Sequence, residues 1–139
     1  MIYPQEAIEK LTDTIQSDFP AALNWLIDND YKELTMISDA ACGADKPLEW
    51  LIRNKYIELA AFVNAVREDS QAFNLLFKLK AFHWAATANV VNGDKKAAAW
   101  LRGNKLEHYV KLAVVLKEKI IRDSDEGFMD SMTKVGSPF

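Results

Sequence analysis

The chain is expected to be all-α, a single right-handed stack of short antiparallel helix pairs, and three observations lead to that expectation. Three of its four tryptophans fall at Trp25, Trp50 and Trp100, with Leu75 completing a period of 25 residues. Within a unit, apolar residues recur at spacings of three or four: Ala22, Leu23, Trp25 and Leu26 form one face, and Leu34, Ile37, Ala40 and Ala41 form the next. Glycine and proline are scarce, 5 and 4 of 139 residues. Strand-like character is confined to Leu112 to Leu116, inside a longer helical pattern.

The residues around each tryptophan follow the same period. WLIDNDYKEL (25–34) and WLIRNKYIEL (50–59) agree at seven of ten positions. WLRGNKLEHY (100–109) keeps the Trp, Leu and Asn, and LLFKLKAFHW (75–84) keeps only the apolar framework. A lead helix is predicted over 4–17, followed by pairs at 20–29/31–42, 46–53/56–68, 71–79/81–92 and 95–102/105–122. These segments are mostly shorter than the ~12–15 residues at which an isolated helix becomes marginal, so packing must hold them. Pro20 and Pro47 suit first-turn positions. Asp30 with Glu33 and Asn104 with Glu107 have the spacing of capping boxes, and Gly43, Gly93 and Gly103 suit helix ends that need positive φ.

This gives one domain over 1–122, a lead helix plus four pairs, and a capping tail over 123–139. Trp25, Trp50, Leu75 and Trp100 are expected to wedge between layers as core spacers, because one unit cannot bury its own apolar face. Trp84 falls outside that period and suits a surface. The last helix carries Leu112, Ala113, Val114, Val115 and Leu116 in a row. It therefore needs a cover, which Phe128, Met129 and Met132 of the tail, spaced for one helical turn, are expected to supply in preference to a second subunit.

With 50% apolar and 27% charged residues the chain is neither disordered nor collagen-like. Cys42 is the only cysteine, which leaves no internal disulfide and fits a reducing compartment. MIYPQEAIEK lacks the features of a secretion signal, and no apolar run approaches the ~18 residues a membrane span needs. A cytoplasmic location is expected.

GADKPLEWLIRNKYIELAAFVNAV (43–66) resembles the helical part of an ankyrin repeat: Pro47-Leu48 opens the first helix, Asn54 marks the turn and Glu58-Leu59 begins the second. Ankyrin units run about 33 residues, so units of 25 lack the stretch that forms the projecting β-hairpin. The resemblance implies stacked helix pairs and a protein-binding role, without naming a partner.

Chemistry is thinly represented. One repeat position holds Glu33, Glu58, His83 and His108 in turn, which are metal-ligand types. In a linear stack, however, equivalent residues stand about 8–10 Å apart, and ligands of one ion must lie within about 2.0–2.2 Å of it. A polar row is expected, with no metal and no cofactor. Cys42 sits at a helix end rather than beside a histidine and an orienting group, and Asp28, Asp30, Asp123, Asp125 and Glu126 fall at turns or in the tail. No phosphate-binding loop or H-E-x-x-H is present. No catalytic residue is expected, unless a deep pocket gathers His83 or His108 with a carboxylate.

Charge gives the functional hint. Residues 1–69 carry a net −7, residues 70–122 a net +7 and the tail −3. The expected role is a non-catalytic protein-interaction module that meets an acidic protein surface through Trp84, Lys78, Lys80, Arg102 and Lys105. The alternative is a nucleic-acid-binding helical repeat using the same basic half. The molecule is expected to be a monomer or to self-associate weakly head to tail.

Overall fold

Two interleaved series of left-handed residues divide the chain into its helices. Asp30, Lys55, Lys80 and Lys105 have φ between 60° and 67°, and Gly43, Glu68 and Gly93 have φ of 111°, 70° and 96°. Each series repeats every 25 residues. The computed structural model describes residues 2–17, 20–124 and 138–139. Its helices are α1 (Gln5–Ser17), α2 (Pro20–Asp28), α3 (Ile37–Ala41, preceded by a 3-10 turn at Lys32–Met36), α4 (Asp45–Arg53), α5 (Ile57–Val66), α6 (Ser70–Lys78), α7 (Phe82–Val91), α8 (Lys95–Gly103) and α9 (Glu107–Asp123). No strand occurs among the described residues, so the chain is all-α there.

A left-handed residue just past a helix lets the next N–H groups reach back to carbonyls of the last turn. The N–H groups of Tyr31, Tyr56, Ala81 and Leu106 donate to the carbonyls of Leu26, Leu51, Leu76 and Leu101 at 2.8–2.9 Å. Those of Ala44, Asp69 and Asp94 do the same to Asp39, Asn64 and Asn89 at 2.9–3.0 Å. Gly103 is a correction to the expected pattern: it lies inside α8, and Lys105 takes the left-handed position.

The capping boxes are a second correction. Asp30 closes α2 rather than opening the next helix, and neither Tyr31 nor Leu106, the actual N-caps, makes a side-chain cap. The asparagines of the repeat serve the preceding helix instead. Asn29, Asn54 and Asn104 each donate Nδ2 to the carbonyl of Trp25, Trp50 or Trp100 at 2.8 Å. The side-chain N-caps are Asp69 and Asp94, which accept from Gln71 and Ala72 and from Lys96 and Ala97.

The second helix of each pair lies inside. Leu59–Val63, Ala65 and Val66 of α5 and eight residues of α7 are buried, whereas α4, α6 and α8 bury only one or two residues each. The tryptophans do not wedge into the core as expected. Trp25, Trp50 and Trp100 are half-buried, and the fully buried residue of each first helix is the next one, Leu26, Leu51, Leu76 and Leu101. Two of the indoles stack on the turn that follows, Trp25 on Tyr31 at 6.0 Å and Trp50 on Tyr56 at 5.7 Å, with the Lys10 and Lys32 ammonium groups 5.8 and 5.5 Å from their ring centres.

The inner helices α3, α5, α7 and α9 pack in chain order, and α9 also reaches α3. The lead helix packs on both α2 and α9. A linear stack would keep its lead and final helices apart, and here they meet. The apolar run of the last helix meets this contact. Leu112, Ala113, Val115 and Leu116 are buried where α9 packs on α1 and α7. Phe128, Met129 and Met132 lie outside the described residues. At the centre, Trp84 packs on Phe62 at 4.7 Å, Tyr109 at 5.3 Å and Tyr3 at 6.3 Å. No helix among the described residues is long and apolar enough to cross a membrane.

Two substitutions test this account by urea denaturation. Leu76→Ala is expected to cost about 2–5 kcal/mol, the range for truncating a sealed leucine. Lys55→Gly is expected to add about 1 kcal/mol by relieving a left-handed conformation that a Cβ disfavours. A destabilised glycine variant would show that the turn is not where the strain lies.

Candidate functional site

Of the five residues expected to meet a partner, four are exposed and one is not. Lys78, Lys80, Arg102 and Lys105 are exposed at the ends of α6 and α8. Trp84 is fully buried, which corrects its assignment to a surface. It occupies the same repeat position as Leu34, Leu59 and Tyr109, all of them buried. Its period is that of the inner helices, offset from the tryptophan series of the outer ones.

The turns that reverse the chain after α4 and α6 place charge and apolar surface together. Lys55 lies between Ile52 and Ile57, and Lys78 and Lys80 flank Leu79 and precede Phe82. These four apolar side chains are 38–50% exposed. Phe82 continues an aromatic row, with Phe77 at 5.3 Å and Phe73 a further 5.0 Å on. Phe139 joins it, 5.5 Å from Phe77 and 5.3 Å from Trp100. Lys55, Lys78, Lys80 and Lys105 make no ion pair among the described residues, while Arg102 pairs with Glu107 at 2.9 Å. That pair is solvent-exposed and contributes little to stability.

The polar row of the repeat lies at the start of the inner helices. Glu33, His83 and His108 are buried and Glu58 is half-buried. Glu33 accepts a hydrogen bond from Tyr3 Oη at 2.8 Å. Burial and that bond hold the Tyr3 phenol above its ordinary range, and the Glu33 charge raises Tyr56 in the same direction. A cavity of about 270 Å³ opens beside them, lined by Tyr3, Lys55, Tyr56, Glu58 and Trp84 among others. Among the described residues no three or more His, Cys, Asp or Glu side chains are gathered to hold a metal ion.

The larger cleft, about 600 Å³, runs between α1 and α9 and does bring His108 together with Glu9. Burial lowers the His108 pKa below its ordinary 6.5, with the Glu9 charge opposing. A base of this kind needs a nucleophile or a substrate proton within reach. The one hydroxyl among the cleft's lining residues, Thr12 Oγ1, is held by the Ile8 carbonyl at 3.0 Å. Cys42 is elsewhere, and burial, with a hydrogen bond to Asp123, pushes its thiol up to about 11. At neutral pH it is therefore a thiol rather than a thiolate.

Compared with protein-family models, curated proteins and solved structures, the chain matches none.

The His108 shift has a fixed sign. A depressed folded-state pKa stabilises the fold above the ordinary value of 6.5, and that contribution disappears as pH falls through the folded value. Urea midpoints at about pH 7.5 and about pH 5 should show wild type losing more stability on acidification than His108→Gln. Equal losses would remove His108 from the acid response.

Proposed function

We propose that the chain is a non-catalytic protein-interaction module that receives an acidic segment bearing an aromatic side chain. The basic flank around Lys55, Lys78 and Lys80 is its docking surface. One observation carries the reading: Phe139, from a segment of net charge −3, is seated between Phe77 and Trp100 on that flank. An aromatic side chain anchored in a cleft, with charge complementarity around it, is how small interfaces gain both affinity and orientation. Lys78, Lys80 and Lys105 supply the positive field, with Arg102 at its edge. Trp84 contributes from beneath by holding the inner helices in place.

The same reading takes the four pairs as copies of one antiparallel helix hairpin. It is supported by the 25-residue recurrence of left-handed turns, Asn–carbonyl bonds and sealed leucines. The likeness of residues 43–66 to ankyrin units extends no further than the helix pair. The chain is read as a monomer, because α1 occupies the face of α9 that a second copy would need. A cytoplasmic setting fits the single free thiol.

A second reading, a single-stranded nucleic acid laid along the same lysines, is favoured by exposed Phe82, since an aromatic among basic residues is a stacking platform.

Fluorescence anisotropy separates the two. A labelled acidic peptide carrying one phenylalanine is expected to bind Phe139→Ala several-fold more tightly than wild type, since the seat is then vacant. Lys78→Glu with Lys80→Glu should weaken it by about tenfold. Peptide binding indifferent to charge reversal overturns the proposal. Retention of a labelled DNA strand, falling steeply between about 50 and about 200 mM salt, would replace it with the second reading.

A further inference from the structure

The cleft between α1 and α9 shares only Arg102 with the basic flank; its α1 wall is acidic, and the wall opposite carries Lys111 and the Arg102–Glu107 pair. Glu9 and Asp13 stand one turn apart on α1, which puts both carboxylates on one side of that helix. Facing them are Lys111 from α9 and Arg102 from the end of α8. Glu9, Asp13 and Lys111 are exposed, yet neither carboxylate forms an ion pair with Lys111 or Arg102 among the described residues. Oppositely charged side chains on facing walls ordinarily close on one another when they can. Here Glu9 accepts a hydrogen bond from Gln5 Nε2 at 3.0 Å instead, and the cleft these residues line is about 600 Å³, a volume within the range of small-molecule sites.

The floor adds a second, independent observation. His108 is 9% exposed, lines the cleft and has no hydrogen-bond partner among the described residues. A neutral imidazole carries one donor and one acceptor, and the ring nitrogens of His108 are not among the enclosed polar atoms without a partner, so they remain reachable from the cleft. Val114, 48% exposed, adds an apolar contact on the α9 side. The cleft thus presents carboxylates on one wall, an ammonium on the other, an open imidazole and an apolar step.

We propose that this cleft binds a short peptide with free termini, two or three residues long. Its α-ammonium lies against Glu9 and Asp13, its carboxylate against Lys111, and a peptide group hydrogen-bonds to His108. A ligand carrying both charges at its ends satisfies both walls at once. A single-charge ligand leaves one wall unpaired, and a free amino acid fills only a small part of a cleft of about 600 Å³. Arg102, tied to Glu107 at 2.9 Å, is already engaged and serves as the edge of the site rather than as a contact.

The test is an NMR titration of the full chain, isotopically labelled, with Leu-Leu, its N-acetylated form, its C-amidated form and free leucine. Unblocked Leu-Leu is expected to shift the His108 imidazole and Val114 methyl signals saturably. Each block should weaken binding by about tenfold or more, as should Lys111→Glu or the pair Glu9→Gln with Asp13→Asn. These substitutions are at exposed positions, so the fold persists. Lys78→Glu with Lys80→Glu should leave the titration unchanged, which keeps this result separate from the fate of the basic flank. The proposal is overturned by no shift at about 10 mM Leu-Leu, by equal binding of the blocked forms, or by free leucine binding as well as the dipeptide.

Discussion

The left-handed residue that follows each helix from α2 to α8 is the constraint from which the other features follow. Helices of nine or ten residues are too short to persist alone, so each depends on being reversed promptly and laid against its neighbour. The turns at Asp30, Lys55, Lys80 and Lys105 reverse the chain from an outer helix to an inner one, and those at Gly43, Glu68 and Gly93 reverse it back. Regular turns fix the register. They place Leu26, Leu51, Leu76 and Leu101 at one depth, and Leu34, Leu59, Trp84 and Tyr109 at another. Every surface used by the functional reading is a by-product of that register.

Much of this was legible in the residues, and the failures have identifiable causes. The 25-residue period and the helix bounds could be read because apolar spacing and turn residues are local signals. Burial was misjudged at the tryptophans because rarity draws attention to an indole, while depth is decided by which side of the helix faces inward. At Trp25 and Trp50 the following leucine faces inward, and the indole stacks on a tyrosine instead. Trp84 could have been recognised by aligning it with Leu34, Leu59 and Tyr109. Asparagine and aspartate serve either end of a helix, so Asp30 and Asn104 were open to a wrong assignment until hydrogen-bond partners were seen. The meeting of α1 with α9 joins residues a hundred positions apart and leaves no mark in either segment's pattern. Consequently the α1–α9 cleft, which holds His108, was invisible to sequence reading except as a condition to be checked.

Two surfaces with different physics emerge. The flank at Lys78 and Lys80 is basic and studded with exposed apolar groups, which suits contact with another macromolecule. The α1–α9 cleft is concave, charged with both signs and floored by a nearly sealed imidazole, which suits something small. The two surfaces lie on different helices, with no shared contact residue except Arg102 at the margin.

The return of α9 to α1 and α3 changes how such a molecule comes apart. In an open array, terminal units fray independently and a unit can be added or lost with little effect elsewhere. Here first and last elements secure each other, so detaching either one unseals the interior for all. Loss of order is then expected to be concerted, because α1 and α9, far apart in the chain, seal the same interior.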